Sequence, residues 1–479
     1  MIVPCLAAVL LLGACGGGDS APPAAANVEP AAPKPPPTPN TITASLKAGQ
    51  EAALQRIGAT EAILDDNSVT YTFVSDLEKS ATRLSITTTL AELPAGWSMQ
   101  FDANACQSVP TDGCELSLRY APTGAASGSL TIGFAYTDSE GDARTGSLVV
   151  PYTASLPPLA YLTRGESAGT AMPRIVRCVL ETDGQFSHCT DFGPDLSFAG
   201  DIAVDAGHLY LSAQDALSTG VFQCAIDAAS ANVSGCTLAR PAYEPVLLLR
   251  NGALLIGDRT TQPTVAVAPG MPPMPLMSRP LPLDACPASA QAGLQSGCLS
   301  GPSDLLDWGA TLRVQGMGVV NASLWVATHR IGGNNVEGDP NLTATGLLWM
   351  GYDTATGQAT VRPSTGGITS FALPVAALTP LGGVAILGRH AYFATQAGVV
   401  HCDADAVSGA LSNCAAPVTS VPGIAGQTLA DGRFAVNGTR LYYADASGSI
   451  TCVIGGGALD ACVPLAAPAP TRFNGIAFR

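Results

Sequence analysis

The sequence predicts an all-β protein built from many short strands in two successive parts. Three observations predict it. Hydrophobic residues make up 47% of the 479 positions, enough to bury a sizeable core, while charged residues are only 12%. The 52 Gly and 37 Pro are nearly a fifth of the chain, a mixture that disfavours coiled coils and long surface helices and favours strands joined by turns. Apolar residues alternate with period two over the first part, and strand–turn–strand units recur through the second.

The chain opens on residues 1–14, read as a signal peptide. Residues 6–12 are an apolar run far shorter than the ~20 residues that span a bilayer, and small residues close it. The closing Leu12-Gly13-Ala14-Cys15 resembles the lipobox of bacterial lipoproteins, although residues 1–14 carry no Lys or Arg. The resemblance implies cleavage before Cys15 and lipid attachment there, hence a membrane contact through a lipid anchor. Cys15 is followed by Gly16 and not by Asp, which in that family points to the outer membrane, facing periplasm or cell surface. Residues 15–40 are a Pro/Ala-rich linker that cannot bury enough surface to offset its ordering entropy. No later run reaches 18 apolar residues. A net charge of −15, with three Lys against nineteen Arg, excludes a nucleic-acid partner that must be met by a basic surface. Fourteen Cys point to an oxidising compartment.

Residues 41–155 alternate as a two-sheet sandwich does, as in Val69-Thr70-Tyr71-Thr72-Phe73 and Leu130-Thr131-Ile132-Gly133-Phe134, with turns such as Pro94-Ala95-Gly96 between strands. The stretch from Cys114 to Gly124, followed by Ser127-Gly128-Ser129-Leu130, resembles Ig-like domains of the abnormal-spindle/HYDIN type. An Ig-like β-sandwich is expected, with Cys106 and Cys114 stapling a hairpin.

Residues 156–479 repeat. Apolar strand, Gly/Asn turn and second strand recur at Gly200–Ser212, Gly316–Ala327 and Gly432–Ala444, with weaker copies at Val246–Ile256 and Gly383–Phe393. In several copies a third strand ends near a Cys, and a second Cys follows a turn. The pairs are Cys178 with Cys189, Cys224 with Cys236, Cys286 with Cys298, Cys402 with Cys414, and Cys452 with Cys462. Their spacing of 10 to 12 residues is wider than that of zinc knuckles and suits disulfides across hairpins. Four strands per unit is the grammar of a β-propeller. The first unit begins at Leu159 on what matches a second strand, and the chain closes on Asn474-Gly475-Ile476-Ala477-Phe478, which matches a first strand. A closed β-propeller of six blades, with the C-terminal strand completing the first, explains both. These Cys-hairpin units resemble propeller repeats of secreted and lipid-anchored bacterial proteins.

Chemistry-bearing motifs are sparse. Gly165-Glu166-Ser167-Ala168-Gly169 fits G-x-S-x-G, but Pro173 opposes the helix a nucleophile elbow needs, and strands follow instead of βα units. The five His (His188, His208, His329, His390, His401) show no metal spacing. Asp403-Ala404-Asp405 lacks the remaining ligands of a Ca²⁺ loop and reads as a hairpin turn. No catalytic residue, metal ligand or cofactor is expected. The candidate binding residues sit on two long polar loops of one propeller face: Asp304, Asp307 and Trp308 on one, and His329, Arg330, Asn334, Asn335, Glu337 and Asp339 on the other. The expected function is non-catalytic recognition of a protein or glycan at the cell envelope. The alternatives are a hydrolase or lactonase with a metal in the central channel, and an envelope-assembly scaffold.

Overall fold

The computed structural model describes residues 40–57, 67–76, 81–109, 113–164, 172–242, 244–257, 283–301, 311–331, 345–360, 369–371, 380–395, 398–405, 407–415, 433–445, 448–466 and 473–479. Among them, helix is confined to Glu51–Ile57 and a single 3-10 turn, Leu90–Glu92; the rest is antiparallel sheet and connections. No described helix is long and apolar enough to cross a membrane.

Seven strands make two sheets in the N-terminal part. One runs Ile42–Leu46, Asn67–Ser75, Cys114–Tyr120, Trp97–Phe101; the other runs Thr82–Ile86, Ala126–Thr137, Ala143–Ala154. Along Asn67–Ser75 every second residue is buried, as a strand with one face on a core requires. Phe73 meets Phe134 edge-on at 5.1 Å, joining the sheets, and Trp97 stacks on Tyr120 at 4.5 Å. Cys106 and Cys114 do not form the expected disulfide. Both are unbridged thiols buried in this core, where they pack as small apolar side chains. Burial pushes the Cys106 thiol up, against a hydrogen bond from Cys114 that lowers it.

The remaining described strands form six sheets. The first consists of Phe473–Phe478, Leu159–Arg164, Met172–Leu180 and Phe186–Leu196, in that spatial order. Its lead strand therefore comes from the far end of the sequence, with Ile476 opposite Leu162 and Ala477 opposite Tyr161. The second is Phe198–Val204, His208–Gln214, Thr219–Ile226, Val233–Pro241, and the third begins Val246–Arg250, Ala253–Gly257, Leu283–Ser289. The fourth begins Thr311–Val320, Ser323–Ile331, Thr345–Tyr352; the fifth is Pro380–Leu387, His390–Thr395, Gly398–Ala404, Leu411–Ser412; the sixth is Arg433–Asn437, Arg440–Asp445, Gly448–Gly455, Ala458–Pro464.

Burial explains how these sheets stack. Second strands are buried on both faces, as in Ala253–Gly257, whereas fourth strands such as Val233–Pro241 are largely exposed. Two covered faces demand a neighbour on each side. Six apolar layers supply them, between the first and second sheets, second and third, and so on, the last uniting Tyr442 and Ala444 of the sixth with Ala160, Leu162 and Ile476 of the first. The lead strands touch in the same cyclic order, Phe473–Phe478 packing on Phe198–Val204 at one end and on Arg433–Asn437 at the other. Their backbones come close enough to require glycine: a Cβ on Gly316 would lie 2.8 Å from the Cα of Gly383 on the next lead strand.

Polar rivets cross the layers. The Tyr161 hydroxyl donates to the Ala231 carbonyl at 2.9 Å, the Trp325 indole to the Gly409 carbonyl at 3.1 Å, and the Tyr392 hydroxyl to the Gly457 carbonyl at 3.0 Å. Each joins a second strand to the turn between third and fourth strands of the following sheet. In several sheets that turn is built on an Asp: Asp227 accepts from the Ser230 N–H at 2.6 Å, and Asp405 from the Ser408 N–H at 2.7 Å. Asp405 is therefore a turn residue.

Five disulfides staple the same hairpins. Cys178 is bonded to Cys189, Cys224 to Cys236, Cys286 to Cys298, Cys402 to Cys414, and Cys452 to Cys462, as the spacing predicts. Each closure stabilises by about 3 kcal/mol in the chain-entropy picture. The two ends of each bridge differ in environment. Cys178, Cys224, Cys286, Cys402 and Cys452 sit on third strands and are fully buried in the layers between sheets. Their partners Cys189, Cys236, Cys298, Cys414 and Cys462 lie toward the outer edge of each sheet and are only half-buried. The bridges thus tie the frayed outer edge of a sheet to its packed middle.

Candidate functional site

The six lead strands surround a cavity of about 230 Å³. Their inward residues are mostly apolar, among them Ile202, Leu247, Met317, Val384, Val436 and Ile476. Among the described lining residues the one carboxylate is Asp201, and its oxygens are taken by backbone: Oδ1 accepts from the Ile202 N–H at 3.0 Å and Oδ2 from the Leu247 N–H at 2.8 Å. Asp201 thus ties the second sheet to the third. Among the described residues this wall shows no set of carboxylates or imidazoles that would hold a channel metal.

Most of the expected binding residues lie outside the described residues. Asp304, Asp307, Trp308, Asn334, Asn335, Glu337 and Asp339 lie outside the described residues, as do Cys15 and the pentapeptide at 165–169. His329 and Arg330 belong to the strand Ser323–Ile331, opposite Arg313 and Leu312 in register. The described structure does not bring these candidates together. The outer cysteines Cys189, Cys236, Cys298, Cys414 and Cys462, partly open to solvent, offer no thiolate, because each is spent in its disulfide. Of the twelve Cys expected to be bridged, only Cys106 and Cys114 depart from that expectation.

The fold brings together a set that spacing alone does not reveal. In the fifth sheet His390 stands directly opposite Asp403, and His401 lies two residues before Asp403 on the same face of its strand, while the intervening Cys402 turns away into its disulfide. The three side chains converge. His390 Nδ1 is 2.9 Å from His401 Nε2 and 3.3 Å from Asp403 Oδ1, which is 3.8 Å from His401 Nε2. The five His were expected to show no metal spacing; strand pairing supplies what linear spacing does not.

The surroundings hold the set in place. Asn413 Nδ2 donates to Asp403 Oδ2 at 3.0 Å, and that bond, ahead of the charge of the two imidazoles, holds the carboxyl below its ordinary range. The Tyr392 ring lies 5.2 Å from His401, and its hydroxyl, pushed up to about 12 by burial and then by Asp403, stays a donor to Gly457. Burial, then the neighbouring His390, pushes His401 down. Gly457 forms the roof at φ +92°, and a Cβ there would stand 2.6 Å from His390 Nδ1.

The repeat shows what is unusual here. At the equivalent position before the Cys, Gln223 accepts from the Leu294 N–H at 2.8 Å, and Arg177 donates to the Ser230 carbonyl at 2.6 Å, each bridging to the next sheet. His401 instead points to His390 and Asp403. The covering turn in the sixth sheet is the glycine run Gly455-Gly456-Gly457 in place of an Asp-built turn, and it belongs to the hairpin with the shortest Cys separation, 10 residues.

No protein-family model matches the chain, and no curated protein matches it. Solved structures similar to it include a nidogen/laminin complex (11% identity, 67% of this chain and 97% of that one, TM-score 0.39). Others are apo AztD from Citrobacter koseri (13%, 75% and 98%, 0.31) and BamB from Moraxella catarrhalis (10%, 63% and 84%, 0.30). These three TM-scores lie below 0.4, and the fold is read from the chain's own strand pairing.

Proposed function

We propose that the chain is a lipid-anchored envelope protein whose six sheets are the blades of a closed β-propeller acting as a non-catalytic recognition head for a protein or glycan. In this reading Cys15 carries the lipid, residues 15–40 are the tether, and the sandwich of residues 41–155 is an Ig-like spacer. The observation that carries the reading is the cyclic order of contacts among the six lead strands, with Phe473–Phe478 completing the sheet that holds Leu159–Arg164. In the same reading the polar segments 302–310 and 332–341, which carry Asp304, Asp307, Trp308, Asn334, Asn335, Glu337 and Asp339, share one face of a rigid ring. The described lining of the cavity favours binding over a channel-metal hydrolase, because it holds a single carboxylate, whose two oxygens accept from backbone N–H groups.

The test is site-specific photo-crosslinking in the native cell. A crosslinker at Trp308 or Asn335 is expected to trap a discrete adduct, and one at Val407, exposed on a turn of the opposite face, is expected to trap none. Absence of adducts at both loops, or equal adducts at Val407, overturns the assignment of the recognition face.

A further inference from the structure

We propose that His390 Nδ1, His401 Nε2 and Asp403 Oδ1 form a binding site for one divalent transition-metal ion of the zinc type, with Asn413 as its positioning residue and Gly457 as its roof. Three donor atoms meet within 3.8 Å of one another. A four-coordinate zinc ion with ligand distances of about 2.0–2.2 Å spaces its donors about 3.3 Å apart, so one ion satisfies all three with shifts of a few tenths of an ångström. Two imidazoles and one carboxylate favour zinc and its first-row neighbours over Mg²⁺ or Ca²⁺, which take oxygen ligands.

Two imidazole nitrogens 2.9 Å apart cannot both present lone pairs to one another without a cation or a shared proton between them. A neutral ring with its proton on the facing nitrogen meets that requirement without a metal, and an ion here takes both lone pairs once that ring carries its proton on the other nitrogen. The supporting shell has the form a ligand carboxylate requires, because the Asn413 amide fixes Asp403 Oδ2 and leaves Oδ1 turned to the imidazoles. Asp403 and His390 keep about a third of their side-chain surface, 32% each, in contact with solvent, while His401 keeps 13%. An ion held here has a route in and an outward coordination position for water or a donor from a bound partner. Gly457 lies in the turn between Gly448–Gly455 and Ala458–Pro464 of the sixth sheet, so the neighbouring sheet covers the site while all three donors come from the fifth.

The experiment is a Co²⁺ titration of the full chain after chelator treatment, followed by Zn²⁺ displacement. The wild type is expected to take up one Co²⁺ per chain with the visible bands of a low-coordinate ion, and to release it to Zn²⁺. His401→Gln and Asp403→Asn are expected to abolish stoichiometric uptake, and Asn413→Ala to weaken it by about 10- to 100-fold. Far-UV circular dichroism and a cooperative melt of metal-free Asp403→Asn, a partly exposed position, are expected to show a folded protein, which separates a lost ligand from a lost fold. No uptake by the wild type, or undiminished uptake by Asp403→Asn and His401→Gln, overturns the proposal.

Discussion

The hydroxyl of Tyr392 donates to the carbonyl of Gly457 across the joint between the fifth and sixth sheets, at 3.0 Å. The same relation links Tyr161 to Ala231 between the first and second. An apolar layer alone is non-directional and permits neighbouring sheets to slide. A buried hydroxyl with one acceptor fixes the offset.

Removing such a rivet leaves a buried carbonyl without its donor. Tyr161→Phe and Tyr392→Phe are each expected to cost about 1–3 kcal/mol, and the double variant to cost the sum, since the two lie at different joints. Denaturant melts check this; variants as stable as the wild type show that the rivets contribute nothing.

Deleting residues 473–479 removes the lead strand of the first sheet, including buried Phe473 and Ile476. At about 1.5–3 kcal/mol for each buried apolar side chain, the loss is about 3–6 kcal/mol before the exposed edge is counted. Soluble yield and melting temperature are expected to fall sharply, whereas deleting residues 20–40 is expected to change neither. A truncated protein that melts like the full chain overturns the closed arrangement.

Peptide mapping without reduction is expected to find Cys178 linked to Cys189, Cys224 to Cys236, Cys286 to Cys298, Cys402 to Cys414, and Cys452 to Cys462. Cys106 and Cys114 are expected to alkylate only after unfolding, because both are buried thiols. A link between Cys106 and Cys114, or crossed links between sheets, contradicts the structure.

His401 is held below the ordinary imidazole value by burial and by His390. The unfolded chain therefore binds a proton at higher pH than the folded chain, and stability rises with pH in that interval. Metal-free protein is expected to hold its stability above about pH 6.5 and to lose it as pH falls further toward the folded value. His401→Gln is expected to flatten that part of the profile. A wild type that gains stability on acidification through this window refutes the assignment.

Metabolic labelling with a lipid analogue is expected to mark the wild type and not Cys15→Ser, which is expected to become soluble. Label retained by the variant overturns the anchor.

Much of the architecture was legible because it repeats. Period-two alternation marked strands such as Asn67–Ser75, and recurring Cys pairs marked five hairpins whose links are present. Cys106 and Cys114 stand 8 positions apart, short of the 10 to 12 of the bridged pairs, and have no link, being two thiols packed in a core. The His390–His401–Asp403 set was not legible as a motif, because it depends on strand register. His401-x-Asp403 puts two donors on one face, and only pairing across the hairpin brings His390 opposite. That register could have been read from the Gly388-Arg389 turn and the two flanking strands.

Thr163 and Gly475 lie 312 positions apart in sequence and stand opposite one another in paired strands. A ribosome adding about 5–20 residues per second delivers the second of these about 15–60 s after the first. Through that interval the edge of Leu159–Arg164 stays unpaired, and the apolar face that Ile476 will cover stays open to holdases and proteases. Closing the first sheet therefore couples two of the most distant described segments of the chain, and this long-range pairing is a slow step of folding on entropic grounds.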